Sequence, residues 1–445
     1  MASLAAPTTP HTFVRVAIEG CCHGELDAIY AAVEEANAVE EERARSANTA
    51  PRNIELLLCC GDFQAVRNQT DLDCMACPVK YRQMNTFYKY YSGEKVAPVL
   101  TICIGGNHEA SNHMQELPYG GWVAPNIYFL GYAGIITYKG LRIGGLCGIY
   151  NQHDYTKVHY ETFPYTPSSM RSCYHVRQTD VYALSLLSAA QRDGSTPAID
   201  IFLSHDWPRG IALFGDTAGL LQKKRFLKDE ILSNQFGSIA GEALMYDLKP
   251  KYWFSAHMHV KFAAVVRHPD PATHSASSSP PAPTTTKFLA LDKCLPRRQF
   301  LQVFDFDISA DRTGAPAYTD DIRYDSAWLG VLKGMHVVSA SGAVPAREKA
   351  EQLAHDGAAW VHEKLSHYEH AVDGLRPPRF ARVAPAYPSR HHGRLGSPQT
   401  DELLNILELE HLLSIPAVPP PLSQQPPLSS TVDVVEDENE IDIEF

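Results

Sequence analysis

The sequence predicts an α/β fold whose functional groups follow its strands. Short apolar runs alternate with amphipathic segments from Phe13 to about Val266, as expected for strands connected by helices. Five of the apolar runs end in clusters of Cys, His, Asp and Asn. Since α/β sheets build their sites at the carboxyl ends of strands, these clusters are the candidate functional residues.

The individual elements follow the same pattern along the chain. The first apolar run precedes "ELDAIYAAVEEANAVEEE", which predicts an amphipathic helix with Leu26, Ile29, Ala32 and Val33 on one face. Residues 268–286 are rich in Pro, Ser and Thr and predict a disordered hairpin insertion, because such a segment cannot pack a core. The segments "KFLALDKC" and "RQFLQVFDFDI" predict two further strands, and a helical region follows around residues 343–372.

These elements predict three regions in a chain of 445 residues. Residues 12–304 form the α/β domain, residues 305–385 form a smaller C-terminal domain, and residues 386–445 form a disordered acidic tail. Within this tail the segment "TDELLNILELEHLL" favours one short amphipathic helix.

Composition and charge narrow the class of protein. The chain is 44% hydrophobic and 20% charged, as in an ordinary globular protein. Its ten cysteines include adjacent pairs, which suit disulfides poorly, so we expect free thiols in a reducing compartment. No signal-peptide pattern and no run of about 18 apolar residues is present, so we expect no membrane partner. Residues 391–445 contain eleven acidic residues and one Arg, a net charge of −10. Since the whole chain has a net charge of −12, the residues before 391 together carry about −2. The acidic balance therefore does not exclude an RNA substrate.

Polar clusters follow the runs "VRVAI", "IELLLCC", "PVLTICI", "AIDIFLS" and "KYWFSA". A single histidine at such a position is more often a core or surface residue than a functional one, but five clusters in register make coincidence improbable. In chain order the clusters are Cys21-Cys22-His23, Gly61-Asp62, Gly106-Asn107-His108-Glu109, His205-Asp206 and His257-Met258-His259.

The side chains in these clusters suit a site for two metal ions. Cys21, His23 and His259 supply sulfur and nitrogen ligands, and Asn107, His205 and His257 supply oxygen and nitrogen. Asp62 is the carboxylate whose two oxygens can bridge ions about 3.5–4 Å apart. His257 and His259 alternate along an extended segment, and small local distortions would direct one to each ion.

This order of motifs resembles the calcineurin-like metallophosphoesterase superfamily. The resemblance implies a sandwich of two mixed sheets flanked by helices, around two divalent ions. Two departures narrow the choice: Cys21 stands where that superfamily has Asp, and Ala65 and Val66 stand where its second motif has Asp and Arg. The loss of those two residues argues against Ser/Thr phosphatase activity.

At both of these positions the sequence resembles the RNA lariat debranching enzyme family. The segments that carry this resemblance cover roughly residues 14–305, and it weakens beyond them. One departure from the family is Cys77, and the pair Cys74-x-x-Cys77 is interpreted as buried thiols. The matching segments are "GCCHGELDAIY", "GDFQAVRN", "CIGGNHEASN", "RIGGLCGIYNQHDY", "RSCYHVR", "FLSHDWP" and "KPKYWFSAHMHV".

The resemblance implies hydrolysis of the 2′–5′ phosphodiester at the branch point of excised intron lariat RNA, giving linear RNA for turnover. A metal-bound hydroxide would be the nucleophile, and His108 would protonate the leaving 2′ oxygen as general acid. Glu109 is expected to cap the following helix rather than to orient His108.

The implied ligand sets share Asp62. The thiolate of Cys21 favours Fe²⁺ or Zn²⁺ and disfavours Mg²⁺, and Fe²⁺, Zn²⁺ and Mn²⁺ all remain open. One ion would be held by Cys21, His23, Asp62 and His259, and the other by Asp62, Asn107, His205 and His257.

Residues 147–177, called the recognition loop below, combine tyrosines with basic residues. Bases stack on aromatic rings and phosphates pair with cations, so this composition fits an RNA surface, and the loop matches the family's lariat recognition loop. The alternative is an ordinary loop whose tyrosines pack on the sheet. The candidate substrate-binding residues are Tyr150, Asn151, Tyr155, Tyr160, Arg171, Tyr174 and Arg177.

Two other functions stay open. One is a different metal-dependent phosphodiesterase on the same scaffold, which would need no aromatic loop. The other is a non-catalytic scaffold module, which would be expected to have lost ligands. The family's substrate implies a nuclear location, with spliceosome-associated proteins as candidate partners of the C-terminal region. The basic segment "QKKRFLK", residues 222–228, is too helix-like to support that location.

Overall fold

The computed structural model describes residues 13–192, 194–269, 284–308, 319–366, 374–391 and 396–411. The strands are β1 (Phe13–Glu19), β2 (Leu56–Cys59), β3 (Leu100–Cys103), β4 (Gly121–Ala124), β5 (Ile127–Phe129), β6 (Ala133–Tyr138), β7 (Leu141–Leu146), β8 (Ile201–Ser204), β9 (Tyr252–Ser255), β10 (Phe262–Arg267), β11 (Thr285–Ala290), β12 (Leu301–Asp307) and β13 (Arg323–Tyr324). The helices are α1 (Leu26–Ala47), α2 (Gln69–Asp73), α3 (Phe87–Ser92), α4 (Ser111–Met114), α5 (Pro167–Ser172), α6 (Gln178–Arg192), α7 (Thr217–Lys223), α8 (Lys228–Leu232), α9 (Ile239–Leu248), α10 (Ser326–Ser341), α11 (Arg347–Leu365) and α12 (Pro398–Leu407). Three short 3₁₀ helices cover Val79–Tyr81, Ile211–Phe214 and Arg225–Leu227.

The strands form two mixed sheets. One sheet has six strands in the order β12-β1-β2-β3-β5-β4, and the other has seven in the order β10-β11-β9-β8-β7-β6-β13. The prediction of an α/β fold with two mixed sheets flanked by helices is therefore confirmed. None of the described helices is both long and apolar enough to cross a bilayer.

One hydrophobic core lies between the two sheets. Alternate residues of β1, such as Val16 and Ile18, pack with Ile201 and Phe254 from the seven-stranded sheet. The residues in between face the other way, as Ala17 does towards helix α1. Because both faces of these strands are covered, their sequences read as continuous apolar runs rather than as alternating ones.

One predicted domain boundary in the C-terminal region falls within a strand of the structure. The boundary at 304/305 falls inside β12, which pairs antiparallel with β1 over its whole length. Strand β13 then adds to the edge of the other sheet beside β6, and α10 packs on α6 and α11. Residues after 304 thus contribute strands to both sheets. The alternating segment of β12 finds its hydrogen-bonding partners on β1, and β13 finds them on β6.

The described part of residues 386–445 contains the predicted short helix, α12, and the ordered segment also extends to residues 386–391, which were expected to be disordered. The hydroxyl of Thr70 donates to the carbonyl of His391, and Tyr387 N–H donates to the carbonyl of Arg67. Helix α12 is capped by Ser397 and buries its leucines. These apolar side chains supply the burial that holds the segment in place. Residues 392–395 and 412–445 lie outside the described residues.

The predicted insertion is shorter than expected at both ends. Strands β10 and β11 pair antiparallel up to Arg267 and Thr285, as a hairpin requires. His268 is buried, and its Nε2 atom lies 2.7 Å from the hydroxyl of Thr286. The predicted disorder of the remaining residues, 270–283, falls outside the described residues.

A buried ion-pair cluster supports the segment that follows β2. The Arg67 guanidinium donates to the carboxylates of Asp71 and Glu116 at 2.7–3.0 Å, and all three side chains are buried. Arg67→Met is expected to lower the free energy of unfolding by about 3–5 kcal/mol, because two buried carboxylates lose their counter-charge. Denaturant unfolding checks this value. The exposed pair of Arg390 with Asp73 provides the control: Arg390→Met should cost less than about 1 kcal/mol.

Candidate metal centre

The five polar clusters meet where the carboxyl ends of two sets of parallel strands come together. Strands β1, β2 and β3 are parallel neighbours in one sheet, and β8 and β9 are parallel neighbours in the other. The clusters that follow these strands therefore approach one another from both sheets.

Four candidate ligands form a compact group. One ligand atom from each of Cys21, His23, Asp62 and His259 lies within 4.8 Å of the other three. The His23 Nε2 atom is 3.4 Å from both His259 Nε2 and Asp62 Oδ2. This is the first predicted ligand set, and its sulfur, nitrogen and oxygen atoms converge on one point.

The second predicted set lies on the other side of Asp62. The His205 Nε2 atom is 3.2 Å from Asp62 Oδ1 and 3.3 Å from Asn107 Oδ1. The ring of His257 lies 5.0 Å from the ring of His205. The two oxygens of Asp62 thus face different groups, with Oδ2 towards His23 and Oδ1 towards His205, as a bridging carboxylate requires.

Hydrogen bonds fix how the imidazoles face the centre. The His205 Nδ1 atom lies 2.8 Å from the carbonyl oxygen of Cys60, which can only accept a hydrogen bond. Nδ1 therefore carries a proton and Nε2 faces the centre. Burial alone would lower the pKa of His205, but the Asp62 carboxylate outweighs it and raises that pKa, so any proton on Nε2 must leave when a metal binds. The Gln64 amide nitrogen lies 3.1 Å from the Nδ1 atom of His23 and donates to it, which holds the His23 ring in place.

The backbone at the centre adopts an unusual conformation. His23, Asp62, Gln64, His257 and His259 all have positive φ, between 46° and 63°. Non-glycine residues pay of order 1–3 kcal/mol each for such conformations, which cluster at functional sites. The expectation of an extended segment at His257 and His259 is thus wrong, because both residues lie in the left-handed region.

Two glycines allow the loops to approach closely. A Cβ atom on Gly106 would lie 2.2 Å from Asp62 Oδ1, and one on Gly61 would lie 2.3 Å from His205 Nδ1. Only a residue without a side chain leaves Asp62 and His205 in contact.

Burial sets the protonation of the candidate ligands. It lowers the pKa of His23 and of His257 well below the usual value and that of His259 to about 3, so these rings are neutral and can donate a lone pair. For Asp62, the histidines around it outweigh burial and hold its pKa below the usual value. Burial and the Asp62 carboxylate raise the pKa of the Cys21 thiol, so loss of its proton must accompany metal binding.

The donor atoms fit divalent transition metals. A thiol, neutral imidazoles, an amide oxygen and one carboxylate are a mixed set of soft and borderline ligands, which suits Fe²⁺, Zn²⁺ or Mn²⁺ better than Mg²⁺. Cys21 also accepts a hydrogen bond from the His257 N–H at 3.1 Å, which orients its sulfur. Neighbouring Cys22 belongs to the core on the opposite face of the sheet, with Leu26 and Ile29.

Cys21→Ser is expected to shift the metal preference of this centre. Serine replaces a soft sulfur with a harder oxygen that holds its proton more tightly, so retention of Zn²⁺ and Fe²⁺ should fall more than retention of Mn²⁺. Removal of groups that only support ligands costs about 10–100-fold in affinity, so the loss should reach at least that range. Elemental analysis after dialysis measures it, with Cys22→Ser as the matched control. Equal losses for the three metals would show that the thiol does not select the ion.

His108 lies beside the centre without belonging to either group. Its backbone N–H donates to Asp62 Oδ1 at 2.9 Å, and its ring lies 5.1 Å from the ring of His23. The ring is partly exposed. His108 is therefore fixed to the same carboxylate that joins the two groups, with its imidazole at the edge of the site.

Glu109 has a role that differs from the expected helix cap. Its buried carboxylate accepts hydrogen bonds from the N–H groups of Phe63, Gln64 and Gly106, while α4 begins after Ala110 with no side-chain cap. Burial, followed by the charge of Asp62, raises the pKa of Glu109 to about 8. The residue ties the loop after β3 to the loop that carries Asp62. No local pattern in the chain predicts these backbone partners.

The structure divides the candidate residues of the recognition loop. Arg177 is fully buried and pairs with Glu161, and Tyr174 is 6% exposed, so neither faces solvent for RNA. Asn151 accepts hydrogen bonds from two backbone N–H groups in its own turn. These residues build the loop, because its many polar backbone groups need internal partners.

The remaining candidates of the loop are more accessible. Tyr150 and Tyr155 are half-buried with rings 5.2 Å apart, and they pack against the core of the seven-stranded sheet. Arg171 is half-buried, and Tyr160 is 41% exposed with the Lys157 ammonium 5.9 Å from its ring. Phe163, which the sequence analysis did not select, is also exposed. Composition alone cannot separate these exposed rings from the packed ones.

Comparison with known proteins places this geometry in a family. The calcineurin-like phosphoesterase family matches residues 14–261, and the C-terminal domain of lariat debranching enzymes matches residues 283–412. The lariat debranching enzyme of Arabidopsis thaliana is 41% identical over 406 residues, which cover 90% of this chain and 87% of that protein.

Animal relatives match over a shorter share of their length. The lariat debranching enzymes of Danio rerio and Homo sapiens are each 54% identical over 320 residues, covering 72% of this chain but 51% and 53% of those proteins. This chain therefore spans about half the length of these vertebrate relatives. The phosphoesterase match implies divalent metal ions, in agreement with the group of Cys21, His23, Asp62 and His259. The resemblance seen in the motifs is confirmed, and the chain belongs to the lariat debranching enzyme family of calcineurin-like phosphoesterases.

Proposed function

We propose that this protein hydrolyses the 2′–5′ phosphodiester at the branch point of intron lariat RNA. The observation that carries the proposal is the placement of Asp62 between two groups of metal-ligating side chains, one containing Cys21, with His108 bonded to the same carboxylate. A hydrolase of this class acts on a phosphate ester that carries negative charge. The relatives named above carry the name of this activity.

The side chains of the two groups would hold divalent ions of the Fe²⁺, Zn²⁺ or Mn²⁺ type. Ions bound there would offset the charge of the phosphodiester and lower the pKa of water towards about 7. The chain supplies the geometry: Asp62 joins the two groups, and the Cys60 carbonyl and Gln64 orient His205 and His23. The left-handed backbone at four of the candidate ligands fixes these positions before substrate arrives.

His108 supplies the proton for the leaving group. A ribose 2′ oxygen that leaves without a proton is an alkoxide, which is a poor leaving group. An acid that protonates this oxygen raises the rate by about 10²–10⁴-fold. The partly exposed imidazole of His108 is not needed as a ligand in either group. Its bond to Asp62 keeps the acid at a fixed distance from the bridging carboxylate.

The exposed rings of the recognition loop are the part of the chain that fits unpaired RNA bases. Tyr160 and Phe163 present aromatic faces, and Lys157 places a positive charge close to Tyr160. Stacking on such rings is worth about 1–3 kcal/mol per base and needs no particular base sequence. The loop therefore supports the recognition of a splayed branch nucleotide rather than of a paired helix.

A cleavage assay tests the proposal against the two alternatives. A branched RNA should be cut at its 2′–5′ bond, and a linear 3′–5′ RNA of the same sequence should remain intact. Cleavage of both RNAs, or of small diesters alone, would favour a broad phosphodiesterase. Absence of any hydrolysis in the metal-loaded protein would favour a scaffold module. The double variant Tyr160→Ala with Phe163→Ala should lose much of the preference for the branch while keeping its metal.

The location and partners of the protein follow from this substrate. Excised lariats arise in the nucleus, so we place the protein there, with spliceosome-associated proteins binding its C-terminal region. Imaging of the tagged protein and its recovery with spliceosomal fractions would test both statements, and an exclusively cytoplasmic signal would contradict the first.

A further inference from the structure

One lysine near the metal centre has no ion-pair partner among the described residues. Lys224 lies between α7 and the 3₁₀ helix Arg225–Leu227, and only 8% of its surface is exposed. Its Nζ atom makes no hydrogen bond to the described residues and is not a buried polar atom without a partner, so the stem is buried while the ammonium reaches the surface. The carboxylate of Asp292 is the opposite charge that acts on it, without forming an ion pair. The ammonium is therefore accessible to an anion.

A second unpaired lysine lies directly beside Cys21. Cys21 N–H donates to the carbonyl of Asp292 at 3.3 Å, and Cys294 N–H donates to the carbonyl of Cys21 at 3.2 Å. Residues 21 and 293 therefore form a parallel bridge, and opposite residues of a bridge send their side chains to the same side. The half-buried Lys293 side chain thus projects on the side of the Cys21 sulfur.

The neighbouring acid does not neutralise this lysine. Asp292 accepts hydrogen bonds from the Lys293 backbone N–H and from the Arg298 guanidinium, the latter at 3.3 Å. The Lys293 ammonium has no ion pair among the residues that the structure describes. Two cations are therefore left over at this edge of the centre, with Asp292 already engaged.

The charges of both lysines act on the metal-binding residues. After burial, which contributes most, Lys293 and Lys224 add to the lowering of the pKa of His259. Burial lowers the pKa of Lys224, and the Asp292 carboxylate opposes that shift, with a smaller opposing contribution from Cys21. Phe226 lies on the same segment, with its ring 5.9 Å from the Lys224 Nζ atom, and is 48% exposed. A cation next to an exposed aromatic ring is typical of surfaces that bind single-stranded RNA.

We propose that Lys224 and Lys293 bind a backbone phosphate of the RNA on the Cys21 side of the metal centre. The proposal rests on the proposed function, because a branch nucleotide carries phosphodiesters at its 2′, 3′ and 5′ positions. When the 2′ phosphate lies at the metal centre, one of the other two must leave the site beside it. A linear RNA presents one phosphate fewer, so these lysines contribute to selection of the branch.

Kinetics of the metal-loaded protein on branched RNA test this proposal. Lys224→Met and Lys293→Met keep the length and apolar stem of each side chain and remove the charge. KM for the branched RNA should rise about tenfold in each variant, with kcat close to wild type. The slope of log kcat/KM against log salt should become shallower by about 0.7–0.9 per lost phosphate contact. A residue that only stabilises the fold would not change this slope.

Lys223→Met is the matched control, since Lys223 is exposed and adjacent in the chain. The small diester bis(p-nitrophenyl) phosphate carries no second phosphate, so Lys224→Met and Lys293→Met should lose far less activity on it than on branched RNA, and Lys223→Met should lose activity on neither substrate. An unchanged KM and slope in both test variants would overturn the proposal, as would an equal effect of Lys223→Met or a parallel loss of small-diester hydrolysis.

The outcome stays separable from that of the proposed function. If the wild-type protein shows no preference for branched RNA, the proposed function fails before any variant is made. If it shows that preference and both lysine variants keep the wild-type KM, only this inference fails. Should Lys224→Met not fold, the half-buried position of Lys293 makes Lys293→Met the deciding variant.

Discussion

Asp62→Ala is expected to remove metal from both positions of the centre at once. The two oxygens of this carboxylate face different groups, Oδ2 at 3.4 Å from His23 Nε2 and Oδ1 at 3.2 Å from His205 Nε2. Alanine deletes both ligand atoms and the only carboxylate charge between the two groups. Elemental analysis should show a loss of both ions, and hydrolysis of branched RNA should fall by several orders of magnitude because water is no longer acidified.

A half-buried carboxylate provides the control for this variant. Asp206 follows strand β8, as Asp62 follows β2, and its carboxylate accepts a hydrogen bond from the Tyr150 backbone N–H. It belongs to neither ligand group. Asp206→Ala should keep its metal even if it loses stability. Thermal unfolding separates the two effects. Retention of one full ion by a folded Asp62→Ala protein would show that the carboxylate serves one position only and does not bridge.

The candidate ligands could be selected from the sequence because each of them is a local feature. Cys21, Asp62, Asn107, His205 and His257 all come within a few residues of the end of a buried strand. Parallel neighbours place such ends side by side, so a pattern along the chain becomes a cluster in space. Only the order of motifs is needed, not the fold of the connections between them.

Residues whose role depends on a distant partner were not predictable in this way. Glu109 binds backbone N–H groups more than forty residues away, and its sequence neighbours suggested a helix cap. Arg177 was a candidate RNA-binding residue, but its guanidinium forms an ion pair with Glu161 inside the loop. The sequence of a loop does not show whether an aromatic or charged side chain is buried or exposed to solvent.

The same reasoning explains the errors in the domain boundaries. Strand β12 was recognised from its alternating pattern, but its partner β1 lies almost 300 residues earlier in the chain. Pairing between ends so far apart leaves no trace in local composition. Within the tail the leucine pattern predicted a short helix, which is α12, whereas the order of residues 386–391 depends on contacts with Arg67 and Thr70 that the local composition does not show.

His108→Ala is expected to separate proton transfer from metal binding. The ring is in neither ligand group, so metal content should stay near wild type. Without the imidazole the 2′ oxygen must leave as an alkoxide, and kcat for branched RNA should fall by about 10²–10⁴-fold. Elemental analysis and steady-state kinetics measure the two quantities. His355→Ala, which removes an exposed histidine on α11, is the control and should change neither.

The leaving group decides whether His108 acts as the acid. The p-nitrophenolate ion is stable without a proton, so hydrolysis of bis(p-nitrophenyl) phosphate depends little on acid catalysis. His108→Ala should therefore lose far less activity on this diester than on branched RNA. Equal losses on the two substrates would mean that His108 positions the centre through its bond to Asp62 rather than donating a proton. Loss of metal from the variant would instead make His108 a ligand, and the two groups around Asp62 would then have to be redrawn to include its ring.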